Sequence, residues 1–183
     1  MESGRKQFEE EVFVEIISAT GGIFAGSMLA LSIGKIELLP GLLILLPGFL
    51  EMRGNISGSL SARLSAALFL KYTKPKIKNN FVLKENVISA VALALIVSFF
   101  LGAVAFLISY YIFGIYSLSI IYIAMIAGII SNLIEIPVTV LTTFWLFRHG
   151  HDPNNVMGPY LTALGDIVSV ASILAVIVLF PML

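Results

Sequence analysis

A solitary carboxylate, Asp166, lies within the last apolar segment of the chain, residues 156–183. An ionisable side chain at the centre of a membrane helix costs roughly 2.5–3.5 kcal/mol on insertion scales, so it usually faces a cavity, a partner or an ion path. Thr162 precedes Asp166 by four positions and Ser169 follows it by three, so the three side chains share one helical face. This face predicts a polar site at a depth of about 15 Å.

The second apolar segment carries Glu51 and Asn55 one helical turn apart. The carbonyl oxygen of Asn55 is a ligand that hard cations such as Mg²⁺ accept, often through retained water. Gly54, Gly58 and Ala62 form a ridge of small residues that allows another helix to approach closely. We interpret Asn55 as an ion or water contact and the two glycines as helix packing. Glu51 is a candidate ligand, with an ion pair to an arginine as the alternative.

Glu135 is the third acid within an apolar segment, and its helical position gives it nearly the depth of Asp166. It lies near one helical face with Asn132, Thr139 and Thr143. Acidic oxygens that converge inside a membrane indicate a cation. Two interpretations of Glu135 stay open: a cation ligand, or a salt bridge to Arg53 or Arg63.

The sequence contains few features that indicate an enzyme. His149, His151 and Asp152 could chelate a metal, but their short charged segment before Pro153 is typical of a solvated loop. No phosphate-binding loop, nucleophile elbow or zinc helix motif occurs. An intramembrane aspartyl hydrolase needs two carboxylates that share a proton, and Asp166 lacks a local catalytic motif. We therefore expect that the chain is not an enzyme.

The composition indicates a membrane protein. The 183 residues are 58% hydrophobic and 12% charged, whereas a soluble domain is about half apolar and about a quarter charged. The net charge is zero, which suggests no nucleic-acid partner, and the absence of cysteine excludes disulfides and thiolate metal sites. Residues 1–11 mix basic with acidic side chains, so we expect a retained cytosolic lead-in rather than a cleaved signal.

The membrane domain, residues 12–183, is predicted to be all-α with five transmembrane helices. A run of about 20 apolar residues is long enough to cross a bilayer as a helix. The second and fourth runs exceed 30 residues and would reach about 45–50 Å, so they must tilt, project or kink, with Pro47 and Pro137 as candidate kinks. The five runs are residues 12–33, 38–70, 87–113, 116–147 and 156–183.

The distribution of basic residues predicts the orientation. Five lysines crowd residues 71–84, Arg5 and Lys6 precede the first span, and Arg148 follows the fourth. These fall on one side of the membrane and only Lys35 on the other. The positive-inside rule then places the N-terminus in the cytosol and the C-terminus outside. An odd number of spans excludes an inverted repeat of equal halves, so a parallel homodimer is the simplest way to build a central pathway.

Three stretches together resemble the membrane domain of the MgtE family of magnesium channels and transporters. Residues 47–59, Pro-Gly-Phe-Leu-Glu-Met-Arg-Gly-Asn-Ile-Ser-Gly-Ser, are similar to the family's second helix. Residues 131–137, Ser-Asn-Leu-Ile-Glu-Ile-Pro, follow in the fourth helix. Residues 158–166, Gly-Pro-Tyr-Leu-Thr-Ala-Leu-Gly-Asp, preceded by Asp152-Pro153, resemble the family's Gly-Pro-x-x-Thr-Thr-x-x-Asp segment. The likeness covers nearly the whole chain in order and spacing.

The resemblance implies a homodimer with a pore on its two-fold axis, lined by the second and fifth spans. It implies pore roles for Asp166, Thr162 and Asn55, with Mg²⁺ as the transported ion and no cofactor. The chain departs from the family pattern at Ala163, which replaces the second Thr, and at Arg53, where bacterial members often have Gly. We expect no cytosolic sensor domain from these 183 residues, which makes them more similar to one repeat of the eukaryotic solute-carrier magnesium transporters.

The sequence predicts divalent cation transport by a multi-pass protein of a prokaryotic plasma membrane. One alternative is an exchanger coupled to Na⁺ or H⁺, with Glu51 or Glu135 as the coupling site. Another is a membrane scaffold that transports nothing. Selectivity among Mg²⁺, Mn²⁺, Co²⁺ and Ca²⁺ stays open, as do channel or carrier action and the direction of flux.

Overall fold

The computed structural model describes residues 2–36 and 40–179, and within them the regular secondary structure is entirely helical. This confirms the predicted fold class at the level of secondary structure. The helices are α1 (Glu2–Leu31), α2 (Ile33–Ile36), α3 (Pro40–Phe69), α4 (Phe81–Phe113), α5 (Ser119–Arg148) and α6 (Pro153–Leu179).

Four of the described helical segments are long and apolar enough to cross a membrane, one fewer than the sequence predicted. They are Glu11–Leu31, Phe81–Phe113, Ser119–Arg148 and Pro153–Leu179. Helix α3 has the same length as α5, 30 residues. It carries Glu51, Arg53 and Arg63 together with several serines, and these polar groups lower its hydropathy. The protein is therefore multi-pass, and α3 is the one long helix of the described residues without such a segment.

Helices α1, α4 and α6 start earlier than the sequence predicted. Residues 2–11, expected as a lead-in, continue into α1. Helix α4 starts at Phe81, six residues early, because the Asn80 side chain accepts a hydrogen bond from the Leu83 amide at 3.0 Å. Helices α3 and α5 run continuously through Pro47 and Pro137. The predicted ends at residues 38 and 183 lie outside the described residues.

Helix α3 packs against α4, α5 and α6. Helix α5 also packs against α4 and α6, while α1 packs against α6. Small residues allow these close contacts. A Cβ added to Gly128 of α5 would lie 2.9 Å from the Cβ of Ser98 on α4, so this crossing has no room for a larger residue. The buried core runs along α3 and includes Leu42, Phe49, Leu60 and Leu64.

Helix α1 contacts α6 through small residues. A Cβ added to Gly21 would lie 2.7 Å from the Cβ of Ala163, and Ala25 is buried on the same side. On other sides of α1, Ala19, Gly26 and Ala30 are exposed. The small size of Ala163, where the family pattern has Thr, suits this close approach of α1 and α6.

Loop contacts identify which connections share one end of the bundle. Arg148, at the end of α5, donates a hydrogen bond to the carbonyl oxygen of Pro75 in the α3–α4 loop. At the other end, Gly41 of α3 lies against Ile120 of α5 and Ser109 of α4. The lysine-rich loop and the α5–α6 connection therefore lie at the same end.

Candidate functional site

Helix α6 presents Thr162 and Asp166 on an open surface. Thr162 is exposed and Asp166 is half-buried. A Cβ added to Gly22 of α1 would lie 3.9 Å from Asp166 Oδ2, so the absence of a side chain there leaves room beside the carboxylate. Ser169, predicted on the same face, is fully buried in the bundle.

Helix α3 brings Glu51 and Asn55 to the same surface. Both side chains are exposed, and Asn55 Nδ2 donates a hydrogen bond to Glu51 Oε1 at 3.0 Å. A Cβ added to Gly54 would lie 3.9 Å from Thr162 Oγ1, so α3 and α6 meet at this level. Glu51 also acts electrostatically on Asp166. Glu51, Asn55, Thr162 and Asp166 thus converge on one open surface, the α3–α6 polar face.

The ridge of small residues on α3 borders the polar face. A Cβ added to Gly58 would meet no heavy atom within 4 Å, and Ala62 is exposed. Within the part of the chain that the structure describes, nothing packs on Gly58. Ser65, three positions after Ala62, is buried and points into the bundle.

Glu135 lies in a separate, inner layer. Its side chain is only 1% exposed, and Ser57 Oγ donates a hydrogen bond to Glu135 Oε2 at 3.2 Å. The same oxygen would lie 4.0 Å from a Cβ added to Gly165, so the α6 backbone separates Glu135 from the polar face. Among the described residues, Glu135 Oε1 has no hydrogen-bond partner. Four of the five candidate ligands are therefore grouped on the polar face, and Glu135 lies behind it.

Arg53 is the buried counter-charge of Glu135. It is 1% exposed, its Nη2 donates to the Gly128 carbonyl at 3.2 Å, and its guanidinium lies 5.7 Å from the centre of the Phe49 ring. The charges of Arg53 and Glu135 attract each other across the α3–α5 contact. Arg63, the other partner considered, is exposed.

Sequence reasoning missed the role of Ser57, although a signal was available. Ser57 follows Arg53 by one helical turn, so both project from α3 toward Glu135. Asn132, expected near Glu135, instead donates to the Gly128 carbonyl at 2.8 Å, the oxygen that also binds Arg53.

The polar face has the donor set of a weak site for a hydrated hard cation. It offers two carboxylates, one amide and one hydroxyl, all on side chains that water can reach. In residues 2–36 and 40–179, no three His, Cys, Asp or Glu side chains are grouped tightly enough to hold a metal ion. Such an arrangement suits an ion that keeps part of its water, as Mg²⁺ commonly does.

The α5–α6 loop shows hydrogen bonds that a turn requires. His149 Nδ1 lies 2.8 Å from the Trp145 carbonyl oxygen, and Asp152 Oδ1 accepts from the Asn154 amide at 2.9 Å. These hydrogen bonds lie at the end of α5 and at the start of α6, in line with the expected solvated loop.

Comparison with known proteins supplies the family. A family model described as MgtE, divalent cation transporter, matches residues 46–176. The matched region contains the whole polar face together with Arg53 and Glu135. No curated protein and no solved structure matches the chain. Because the match extends over more than half of the sequence, the chain belongs to the MgtE family of divalent cation transporters.

Proposed function

We propose that the protein passes Mg²⁺ across a prokaryotic plasma membrane through a pore on the axis of a parallel homodimer. The observation that carries the proposal is the α3–α6 polar face, where side-chain oxygens lie beside Gly58, and an added Cβ at Gly58 meets no heavy atom of the described residues within 4 Å. The chain belongs to a family of divalent cation transporters. A second copy that packs on the ridge would enclose the open polar face and form a pathway for the ion.

Two copies of Asp166 would then face one ion on the axis. Two carboxylates balance the charge of a divalent cation, while Thr162 and Asn55 offer neutral oxygens to its water shell. Because Mg²⁺ gives up water reluctantly, binding through water keeps the ion weakly held and able to leave. The pair Arg53 and Glu135 would support α3 behind the pore without touching the ion.

All five long helices cross the membrane in this proposal, including α3. The charged groups of α3 do not contradict it, since Arg53 is buried against Glu135 and Glu51 would face the aqueous pore. The N-terminus is cytosolic and the C-terminus is outside, following the excess of basic residues at the end that contains the α3–α4 loop and Arg148.

We expect the α3–α4 loop to be cytosolic, because a segment with five lysines in residues 71–84 strongly disfavours translocation. Lys76→Cys, an exposed loop position in a chain without cysteine, should react with an impermeant thiol reagent only after the cells are opened. Labelling of intact cells would contradict the orientation.

We expect Gly58→Leu to weaken the dimer. The added side chain would project from the ridge into the partner helix, since an added Cβ meets no heavy atom of the described residues within 4 Å. Native mass measurement in mild detergent should show dimers for the unchanged protein and mostly monomers for the variant. Gly26→Leu is a matched control, because Gly26 also has no neighbour within 4 Å but lies on α1. A monomeric yet transport-active protein would exclude the axial pore.

Flux of Mg²⁺ into liposomes tests the transport itself. A second candidate is an exchanger coupled to Na⁺ or H⁺, favoured by the unpartnered oxygen of buried Glu135. Flux that is independent of Na⁺ and pH gradients supports the pore. Flux of the unchanged protein that stops without a Na⁺ or pH gradient supports the exchanger. In that case the Glu135→Gln variant should show flux that no longer depends on the gradient. Absence of flux in either condition would favour a scaffold.

A further inference from the structure

A lysine-rich cavity lies in the α3–α4 loop, at one end of the bundle. Residues 71–84 contain five lysines and no acidic residue. Four of the five, Lys71, Lys74, Lys76 and Lys78, line one cavity of about 340 Å³ in the α3–α4 loop. Because the segment supplies no carboxylate of its own, the cavity concentrates positive charge that an anion can neutralise.

Asn80 holds the loop in a defined shape. Its Oδ1 accepts hydrogen bonds from Thr73 Oγ1 at 2.8 Å and from the Leu83 amide at 3.0 Å. Its Nδ2 donates to the carbonyl oxygens of Lys74 and Lys76 at 3.2 and 2.9 Å. The lysines therefore project from a fixed backbone, which lowers the entropy lost when they bind a ligand.

Lys71 occupies a position where glycine is usual. Its φ is 61°, and the amides of Lys71 and Tyr72 donate to the carbonyls of Leu68 and Ala67, the Schellman pattern that ends α3. A left-handed conformation is unfavourable for lysine. A charged side chain at a strained turn that lines the cavity suggests a role for the charge itself.

An apolar groove continues from this cavity between α4 and α5. Two cavities of about 390 and 450 Å³ share Val87, Ile136 and Pro137, and the first also touches Asn80 and Ile77 of the loop. The groove follows α4 from Leu83 to Leu95, about 18 Å at 1.5 Å per residue. The hydrocarbon core of a bilayer is about 30 Å thick, and one leaflet contributes half of it. The groove is therefore about as long as one leaflet is thick.

We propose that this cavity and groove bind one anionic phospholipid, with its phosphate headgroup among the lysines and an acyl chain between α4 and α5. Ammonium groups make charge-assisted hydrogen bonds to phosphate oxygens, and basic clusters beside a membrane helix attract anionic lipids. The continuity of the charged cavity with an apolar groove of leaflet length favours a lipid over free phosphate. The inference does not depend on which ion is transported.

Native mass spectrometry of protein incubated with phosphatidylglycerol or phosphatidylcholine tests the proposal. The unchanged protein should retain one phosphatidylglycerol per chain and little phosphatidylcholine. Lys76→Gln/Lys78→Gln should weaken phosphatidylglycerol binding roughly 25-fold, at about fivefold for each lysine. Lys76→Arg/Lys78→Arg, which keeps both charges, should retain it. Equal affinity in the Gln variant, or equal retention of both lipids, would overturn the site.

A pair of groove variants tests the acyl chain. Val91→Trp fills the groove and should lower phosphatidylglycerol retention, whereas Ile88→Trp places the same bulk on α4 outside it. Equal loss in both would show that the groove is not used. If glycerol phosphate competes as well as the intact lipid, the cavity binds phosphate alone and the lipid proposal is wrong.

The variant Lys71→Gly separates the effect of the Lys71 charge on lipid binding from its effect on folding stability. Glycine relieves the left-handed strain while it removes one charge from the cavity. We expect roughly fivefold weaker phosphatidylglycerol binding with a thermal unfolding midpoint in detergent that is not lowered. Binding that is unchanged would exclude Lys71 from the site, against the proposal.

Discussion

Asp166→Ala and Asp166→Asn are expected to abolish divalent cation transport while the folded protein remains intact. Two unit charges about 4 Å apart interact by about 4 kcal/mol at an effective dielectric constant of 20, so loss of the carboxylate should lower Mg²⁺ flux roughly 100-fold or more. The Asn variant keeps size and one carbonyl oxygen, so it isolates charge from shape. The measurement is Mg²⁺ flux into liposomes per folded dimer.

The matched control for the loss of charge is Asp152→Asn, the same chemical change in the α5–α6 loop outside the polar face. It should leave flux nearly unchanged. A purely structural Asp166 would behave differently, because Asn would largely restore transport and Ala would chiefly lower thermal stability. Near-normal flux in Asp166→Ala would remove this residue from the mechanism.

Arg53→Met should destabilise the protein by about 3–5 kcal/mol, because it leaves Glu135 as an uncompensated charge in a buried site. The guanidinium also binds the Gly128 carbonyl and packs on Phe49, so its loss releases α3 from α5. Equilibrium unfolding in mixed detergent micelles measures the change. Arg63→Met is the control, since Arg63 is an exposed arginine of the same helix.

The double variant Arg53→Met/Glu135→Gln decides whether the two charges act as a pair. Removing both charges leaves only neutral groups at this buried position, a replacement that is often nearly neutral for stability. We therefore expect the double variant to recover most of the loss seen in Arg53→Met. Losses that simply add would show that Arg53 stabilises the bundle through Gly128 and Phe49 alone.

The sequence alone determined the class of protein and the positions of its principal polar groups. Composition indicated the bilayer, apolar runs located the long helices, and three short stretches identified the family that the comparison then confirmed. The grouping of Thr162 with Asp166 and of Glu51 with Asn55 was also accessible, because a helix repeats every 3.6 residues and so fixes which side chains share a face.

Only the tertiary structure decided which polar groups are open and which are buried. Glu51 and Glu135 are both acids within long apolar runs, yet Glu51 is exposed and Glu135 is buried with Ser57 and Arg53. Helical periodicity shows which side chains share a face of a helix, but not which helix packs against that face. The packing of α3 against α5 and α6 decided this. The small size of Gly165 allowed α6 to pass close to Glu135 and separate it from the polar face.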